Sequence, residues 1–592
     1  MTTSTWNLDA GSGDWNTASN WNPAGVPFDV AGFAGSAQTA ICFSQASGSV
    51  VNDIEFAAGA PAYTFTFSAP SPTTPTLVIA GSGVTNDSMS QQNFIVAAAS
   101  TGYQSPQLKF ANAASAGGAN NYYCAGPATE QDSGGGVIRF ADTSSAGAAN
   151  FMAWTGAGTP PRHGSTVGGE ISFGDSSTAE SANFTIYGTL GSDGDTFGNA
   201  VFHDNSTAAN ATFTNIGGTV SGGDGGNTQF YDSSTAGNAH FFNKGGSCSK
   251  ANGGDVAFDG TASGHYGHFY NYAAPAAGAY GGVTSFNNNP PEVTAGGASA
   301  GNGAYFNFGA RNTEQGGGGH VEFSARHGSP TAADGTFNNY GSTIPGNASA
   351  GHTIFSINQP SSYFPTAGNA TFYNHPAASQ TGAAGFTAFS VYTNSYSGDD
   401  VSASAGDGSN VPTAGEGTFY NLGAFISGAS GGYTTFSGTS TAGNAVLFAY
   451  GGVNGGYGGK VAFYDHSSGG SSSISLADNG ELDLSDHSGG VTLANLELVG
   501  GIIRVKLGSV PTSLTLTGAL ALPCATTFSF QSGGISADTP YTVLTAPNLS
   551  DYSADQFSGN SVDDMTPAFA IVGNALQVTF ARAATNSNGS DA

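Results

Sequence analysis

Seven residues, Thr-Ala-Gly-Asn-Ala-x-Phe, recur along the middle of the chain, and this recurrence restricts the fold more than composition does. The motif reads Thr235-Ala236-Gly237-Asn238-Ala239-His240-Phe241 and Thr366-Ala367-Gly368-Asn369-Ala370-Thr371-Phe372, and again as Thr441-Ala442-Gly443-Asn444-Ala445. Looser copies end at Phe151, Phe184, Phe213, Phe269, Phe337 and Phe419. From Phe184 to Phe269 the landmarks fall 29, 28 and 28 residues apart, and elsewhere the interval stretches to 47. Units of this size cannot bury an apolar face alone, so they must stack on one another.

Each unit carries two strand patterns. The first reads Gly-Gly-x-Val-x-Phe, as in Gly319-His320-Val321-Glu322-Phe323, where the two-residue period puts Val321 and Phe323 on one face and Glu322 on the other. A turn such as Asp232-Ser233-Ser234-Thr235 follows. Then comes a second strand, Ala239 to Asn243, in which Ala239 and Phe241 share a face. Two short strands per unit, repeated in register, predict an all-β chain folded as a right-handed parallel β-helix, a β-solenoid whose inward Phe residues stack along the axis. A β-propeller needs about 40–50 residues and four strands per blade, which these units do not supply. The expected division is an N-terminal cap with first rungs over 1–120, the repeat over 121–489, and Leu- and Val-rich rungs with a cap over 490–592. Caps are expected because a solenoid end exposes strand edges, although one end left open would template end-to-end assembly.

Gly is 92 of 592 residues and charged residues are 8%, a composition that would suggest disorder if Phe 40 and Tyr 23 did not fall at regular positions. Lys and Arg together number 11 against 39 Asp and Glu, a net charge of −28. That balance argues against nucleic acid and against an anionic membrane surface, both of which need a basic face. Cys42, Cys124, Cys248 and Cys524 form no CxxC or zinc-knuckle spacing, and the disulfide status stays open. No apolar stretch is long enough to span a bilayer as a helix, and no signal peptide is read in Met1–Trp6.

The flanks resemble a known family. Trp6, then Gly13-Asp14-Trp15-Asn16-Thr17-Ala18-Ser19-Asn20-Trp21, Val26-Pro27 and Ala31-Gly32-Phe33, resemble the start of bacterial autotransporter-passenger-like, autotransporter-associated β-helix repeat proteins. Tyr541-Thr542-Val543-Leu544-Thr545-Ala546 and Gly573-Asn574-Ala575-Leu576-Gln577-Val578-Thr579-Phe580 resemble the end of such passengers. The resemblance implies an exported surface or matrix β-helix, usually without assigned chemistry. No outer-membrane barrel pattern is read after Phe580, a departure that puts a fused-barrel export route in question.

Three repeated positions are candidate sites. Asp142, Asp175, Asp204 and Asp232, with Asp465 later, stand two residues after a first-strand Phe and would line one edge of the helix. Stacked carboxylates could ligate calcium or pair as acid and base. The competing role is turn capping, in which each Asp accepts backbone N–H groups of its own turn. Asn215, Asn243, Asn271, Asn374 and Asn421 form a second ladder with a structural role. Phe242, Tyr270, Tyr373 and Tyr420 face outward and form a candidate interaction surface for sugar rings or a neighbouring protomer, against a plain cross-strand stack. No P-loop, zinc spacing or nucleophile elbow is present. The expected function is an extracellular or cell-surface structural or adhesive protein, self-associating into filaments or layers or binding a cell-surface or glycan ligand. It is expected not to be an enzyme. The alternative is a polysaccharide-active β-helix hydrolase or a glycan-binding module.

Overall fold

The structure is a computed structural model and describes residues 2–44, 48–68, 76–99, 105–126, 134–155, 168–190, 197–287, 296–325, 328–357, 363–391, 411–509 and 511–582. The chain is a parallel β-solenoid. No α-helix occurs among the described residues, and the strands stack in the order of the repeat. It divides into two compact units, Met1–Glu322 and Phe323–Ala592.

In the first unit, from Val30–Phe33 onward, each strand pairs in parallel with the strand two positions further along the chain. The first-strand column runs Phe140↔Phe173↔Phe202↔Phe230↔Phe258↔Phe286 in exact register. The second runs Phe151↔Phe184↔Phe213↔Phe241↔Phe269↔Tyr305. Ring centroids from Phe173 to Phe202 and from Phe184 to Phe213 lie 4.5 and 4.4 Å apart with nearly parallel planes. The two columns meet edge to face, as between Phe202 and Phe213 at 5.9 Å and 72°. The spacing is that of hydrogen-bonded strands, about 4.8 Å, so backbone pairing and ring stacking reinforce each other.

The Thr of the repeat does more than turn the chain. Ser145, Thr178, Thr207, Thr235 and Ser263 form successive parallel bridges, a third line of backbone pairing that the two-strand reading assigned to a turn. The Ala after each Thr is buried, as at Ala179, Ala208 and Ala236. The next residue has positive φ: +58° at Gly237, 48° at Ala209 and 47° at Glu180. A Cβ at Gly237 would sit 2.7 Å from the Ala209 carbonyl oxygen, which explains why Gly recurs there. At the start of this unit, Trp6, Trp15 and Trp21 pack on each other and on Phe33, all but wholly buried. The strand Thr3–Trp6 is covered on its free edge by the two-residue antiparallel strand Trp21–Asn22.

The second unit repeats the scheme with Phe337↔Phe372↔Phe419 and Phe355↔Phe389↔Phe436↔Phe463. Further on, aliphatic residues replace the rings, as Phe419↔Leu447↔Ile474↔Leu496. The parallel stack ends at a hairpin: Ala575–Arg582 pairs antiparallel with both Tyr541–Thr545 and Met565–Val572. Phe569 of the outer strand packs on Phe528 and Phe530 at 5.8 and 6.0 Å. Pro567 sits in that edge strand, where a missing donor discourages further pairing. Each end therefore carries an antiparallel strand beyond the parallel pairs.

Candidate functional site

Asp142, Asp175, Asp204 and Asp232 do line up, and they bond to the scaffold. Each has φ between 55° and 58°, a left-handed turn geometry that Asp tolerates. The carboxylate of each accepts the backbone N–H of the equivalent residue one rung earlier: Asn112 to Asp142 at 2.8 Å, Asp142 to Asp175 and Asp175 to Asp204 at 2.9 Å, and Asp204 to Asp232 at 3.1 Å. Capping therefore runs between rungs rather than within each Asp's own turn, which corrects the local form of the capping expectation. The series stops where Gly260 takes the next position and has no carboxylate to offer. Asp465 in the second unit does the same for the N–H of Gly438, at 2.9 Å. Among the described residues, no three His, Cys, Asp or Glu side chains converge to hold a metal ion.

Asn215, Asn243, Asn271, Asn374 and Asn421 are wholly buried. Along the line one amide donates to the next, Asn215 to Asn243 at 2.9 Å, Asn243 to Asn271 at 2.8 Å and Asn374 to Asn421 at 2.9 Å, until Ala449 stands opposite Asn421 and leaves its amide without an acceptor. The spare proton of Asn243 goes to the Val283 carbonyl at 2.7 Å. Where the facing strand carries Thr instead of Val, the hydroxyl donates to the Asn oxygen, as from Thr284 to Asn271 and from Thr434 to Asn421.

Phe242, Tyr270, Tyr373 and Tyr420 are half-buried on the outer face. Tyr270 lies between Phe242 at 4.9 Å and Phe306 at 5.1 Å, with planes within 10° of parallel. Tyr420 lies between Tyr373 at 5.0 Å and Phe448 at 5.1 Å. A ring covered on both faces shows its edge to solvent, so Tyr270 and Tyr420 present no open face to a sugar. The Lys244 ammonium sits 3.8 Å from the Tyr272 ring centroid, a cation–π contact on the same face.

The feature with most chemical potential was not singled out from the sequence. On the outer face of the first-strand sheet in the first unit lies a cavity of about 400 Å³. Asp224, Asn227, Asn252, Asp255 and Glu322 line it, with Phe197 and Tyr280 among its other walls. None of its described lining residues is Lys or Arg. Asn199, Asn227 and Asp255 are register partners in successive rungs, and the Oδ1 atom of each is shielded from solvent without a hydrogen-bond partner. Burial pushes the Asp255 carboxyl up to about 7, aided by the charges of Glu322 and Asp259 and opposed in small part by the nearby Ser285 hydroxyl and Val256 N–H. Burial also raises Glu322. Both sit between inward-facing residues, Asp255 before Val256 and Glu322 between Val321 and Phe323, so strand alternation forces them outward.

The remaining charges and thiols have structural surroundings. In the second unit Arg504 bonds Glu481 at 2.9 Å and lies 3.9 Å from Asp483, which Lys460 also approaches at 3.9 Å. All four cysteines are free, and burial raises the Cys124 thiol far above the reactive range. No helix among the described residues is long and apolar enough to cross a membrane. No protein-family model matches the chain, and no curated protein matches it.

Proposed function

We propose that this protein is an extracellular structural or adhesive β-solenoid of the cell surface or matrix, as the autotransporter-passenger-like resemblance of its flanks implies. The observation that carries the reading is how the repeated polar residues are used. The Asp, Asn and Thr lines bond to the rungs next to them and not to a common centre. A repeat whose polar positions serve its own stacking makes a durable, regular, acidic surface, and durability with regularity is what a surface or matrix element needs. Growth by strand addition at the ends forms no part of the proposal, because the terminal antiparallel strands are short or carry Pro. Association through the lateral, aromatic-edged face remains within it.

The test is to label intact producing cells with an antibody to the folded chain and to shave the surface with protease. Surface labelling that shaving removes is the expected result. A chain found solely inside intact cells overturns the reading.

A further inference from the structure

The pocket on the outer face of the first unit has one-sided chemistry. Its shielded, unpaired oxygens, Asp255 Oδ1 and Asn227 Oδ1, are acceptors. Two further carboxylates, Asp224 and Glu322, line the same cavity, and the Asn252 amide already donates to Asp224 at 2.7 Å. Tyr280 is 56% exposed and stands at the wall with Phe197. Buried acceptors without donors are costly, and carboxylates drawn together add mutual repulsion.

A ligand that relieves both costs carries donors and positive charge. An anion meets no Lys or Arg here. A metal ion lacks a converging set of three ligands among the described residues. A neutral sugar hydroxyl brings an acceptor with every donor and leaves the charge uncompensated. A guanidinium offers five donors and an ammonium three, neither with an acceptor, and both bind favourably over aromatic rings. We propose that this pocket is a binding site for an organic cation, a guanidinium or primary ammonium head, held by Asp255 and Glu322 with Asn227 accepting and Tyr280 at the wall. The site goes beyond the structural reading and does not depend on where the protein resides.

Binding competes with protons. Asp255, Asp224 and Glu322 line the cavity, Asp259 follows the Asp255 strand, and His320 comes from the same strand as Glu322. The strands Asn227–Phe230 and Val283–Phe286 bring no charged group. Ionised carboxylates attract the cation and protonated ones do not.

The experiment is isothermal titration of the full-length protein with agmatine, which carries a guanidinium and an ammonium, and with cadaverine, which carries ammonium groups alone. Methyl glucoside serves as the neutral probe. The expected result is binding of agmatine or cadaverine at pH 8 that weakens at pH 5, with no comparable binding of the glucoside. Agmatine alone would identify the guanidinium as the preferred head. Asp255→Asn and Glu322→Gln, close in shape to the parent residues, should each weaken binding about tenfold or more, the size of a lost charge-assisted bond. Asp204→Asn, on the scaffold ladder, should leave it unchanged. Glucoside binding as tight as that of the cations, no binding of either cation, or cation binding unaltered in both pocket variants overturns the proposal. Surface labelling of cells is a separate measurement, so the failure of one reading leaves the other standing.

Discussion

The carboxylate of Asp204 accepts the backbone N–H of Asp175 at 2.9 Å across one rung, and Asp204 offers its own N–H to Asp232 at 3.1 Å. A residue that looks from the sequence like one of several metal ligands thus has its partner in the backbone next to it. Millimolar calcium should leave the thermal midpoint unchanged, and Asp204→Ala should cost up to about 1 kcal/mol, as for an exposed bond. A calcium-dependent rise in the midpoint, lost in that variant, would restore the metal role.

The buried amides should be far more sensitive. Asn243→Ala takes a partner from both Asn215 and Asn271 and leaves the Val283 carbonyl without its 2.7 Å donor. The expected loss is roughly 2–4 kcal/mol. In a stacked repeat it should appear first as faster hydrogen exchange in the rungs on either side of His240–Asn243.

Ala209 holds φ at 48° in the position where Gly237 stands one rung later at 58°. Ala209→Gly removes left-handed strain of about 1–2 kcal/mol and adds about 0.5–1 kcal/mol of unfolded-chain entropy. A net gain of up to about 1 kcal/mol in denaturant unfolding is expected. Gly237→Val should instead destabilise strongly, because its Cβ has no room beside Ala209.

Asp255 also makes a stability prediction. Its folded pKa, about 7, lies above the ordinary carboxylate value. A raised acid contributes fully below its unfolded pKa and loses that contribution as pH rises through the folded value. Ionised Asp255 therefore weighs against folding above about pH 7, and Asp255→Asn should be more stable than the parent at pH 8 by about 1–3 kcal/mol. The difference should vanish near pH 4. Equal stability at pH 8 would mean that the carboxyl is better solvated than its surroundings indicate.

His352 should produce the opposite trend in the second unit. It is buried against Phe386 with planes 2° apart, and burial lowers its pKa. Its contribution is present above the unfolded value of about 6.5 and is lost as pH falls toward the lowered folded value. His352→Phe, which keeps the stack, should flatten the acid side of the unfolding-midpoint curve.

Much of the fold was legible because it obeys a two-residue alternation inside each strand and a repeat between strands. Phe241 read as inward from the alternation alone and Asn243 as part of a structural ladder from the repeat, while the complete burial of that ladder appears only in the fold. The outward placement of Phe242 and Tyr270 was legible for the same reason, but not the stacking that closes their faces, which depends on rung spacing. The third line of bridges at Thr207 and Thr235 was not legible, because an isolated bridge has no alternating run to announce it. Asp255 and Glu322 escaped notice because rung length varies. Residues that share a cavity two rungs apart keep no constant separation along the chain.

The sequence by itself determined the stacked β-repeat, its inward Phe line, its Asn ladder and its acidic balance, since each follows from local periodicity and charge. Only the tertiary structure decided which neighbour each polar group bonds, that antiparallel strands lie beyond the parallel pairs at each end, and that Asp255 and Glu322 share a pocket with no Lys or Arg among its described lining residues. Those outcomes depend on distances between rungs, and distance between rungs is set by backbone pairing across loops of unequal length rather than by position along the chain.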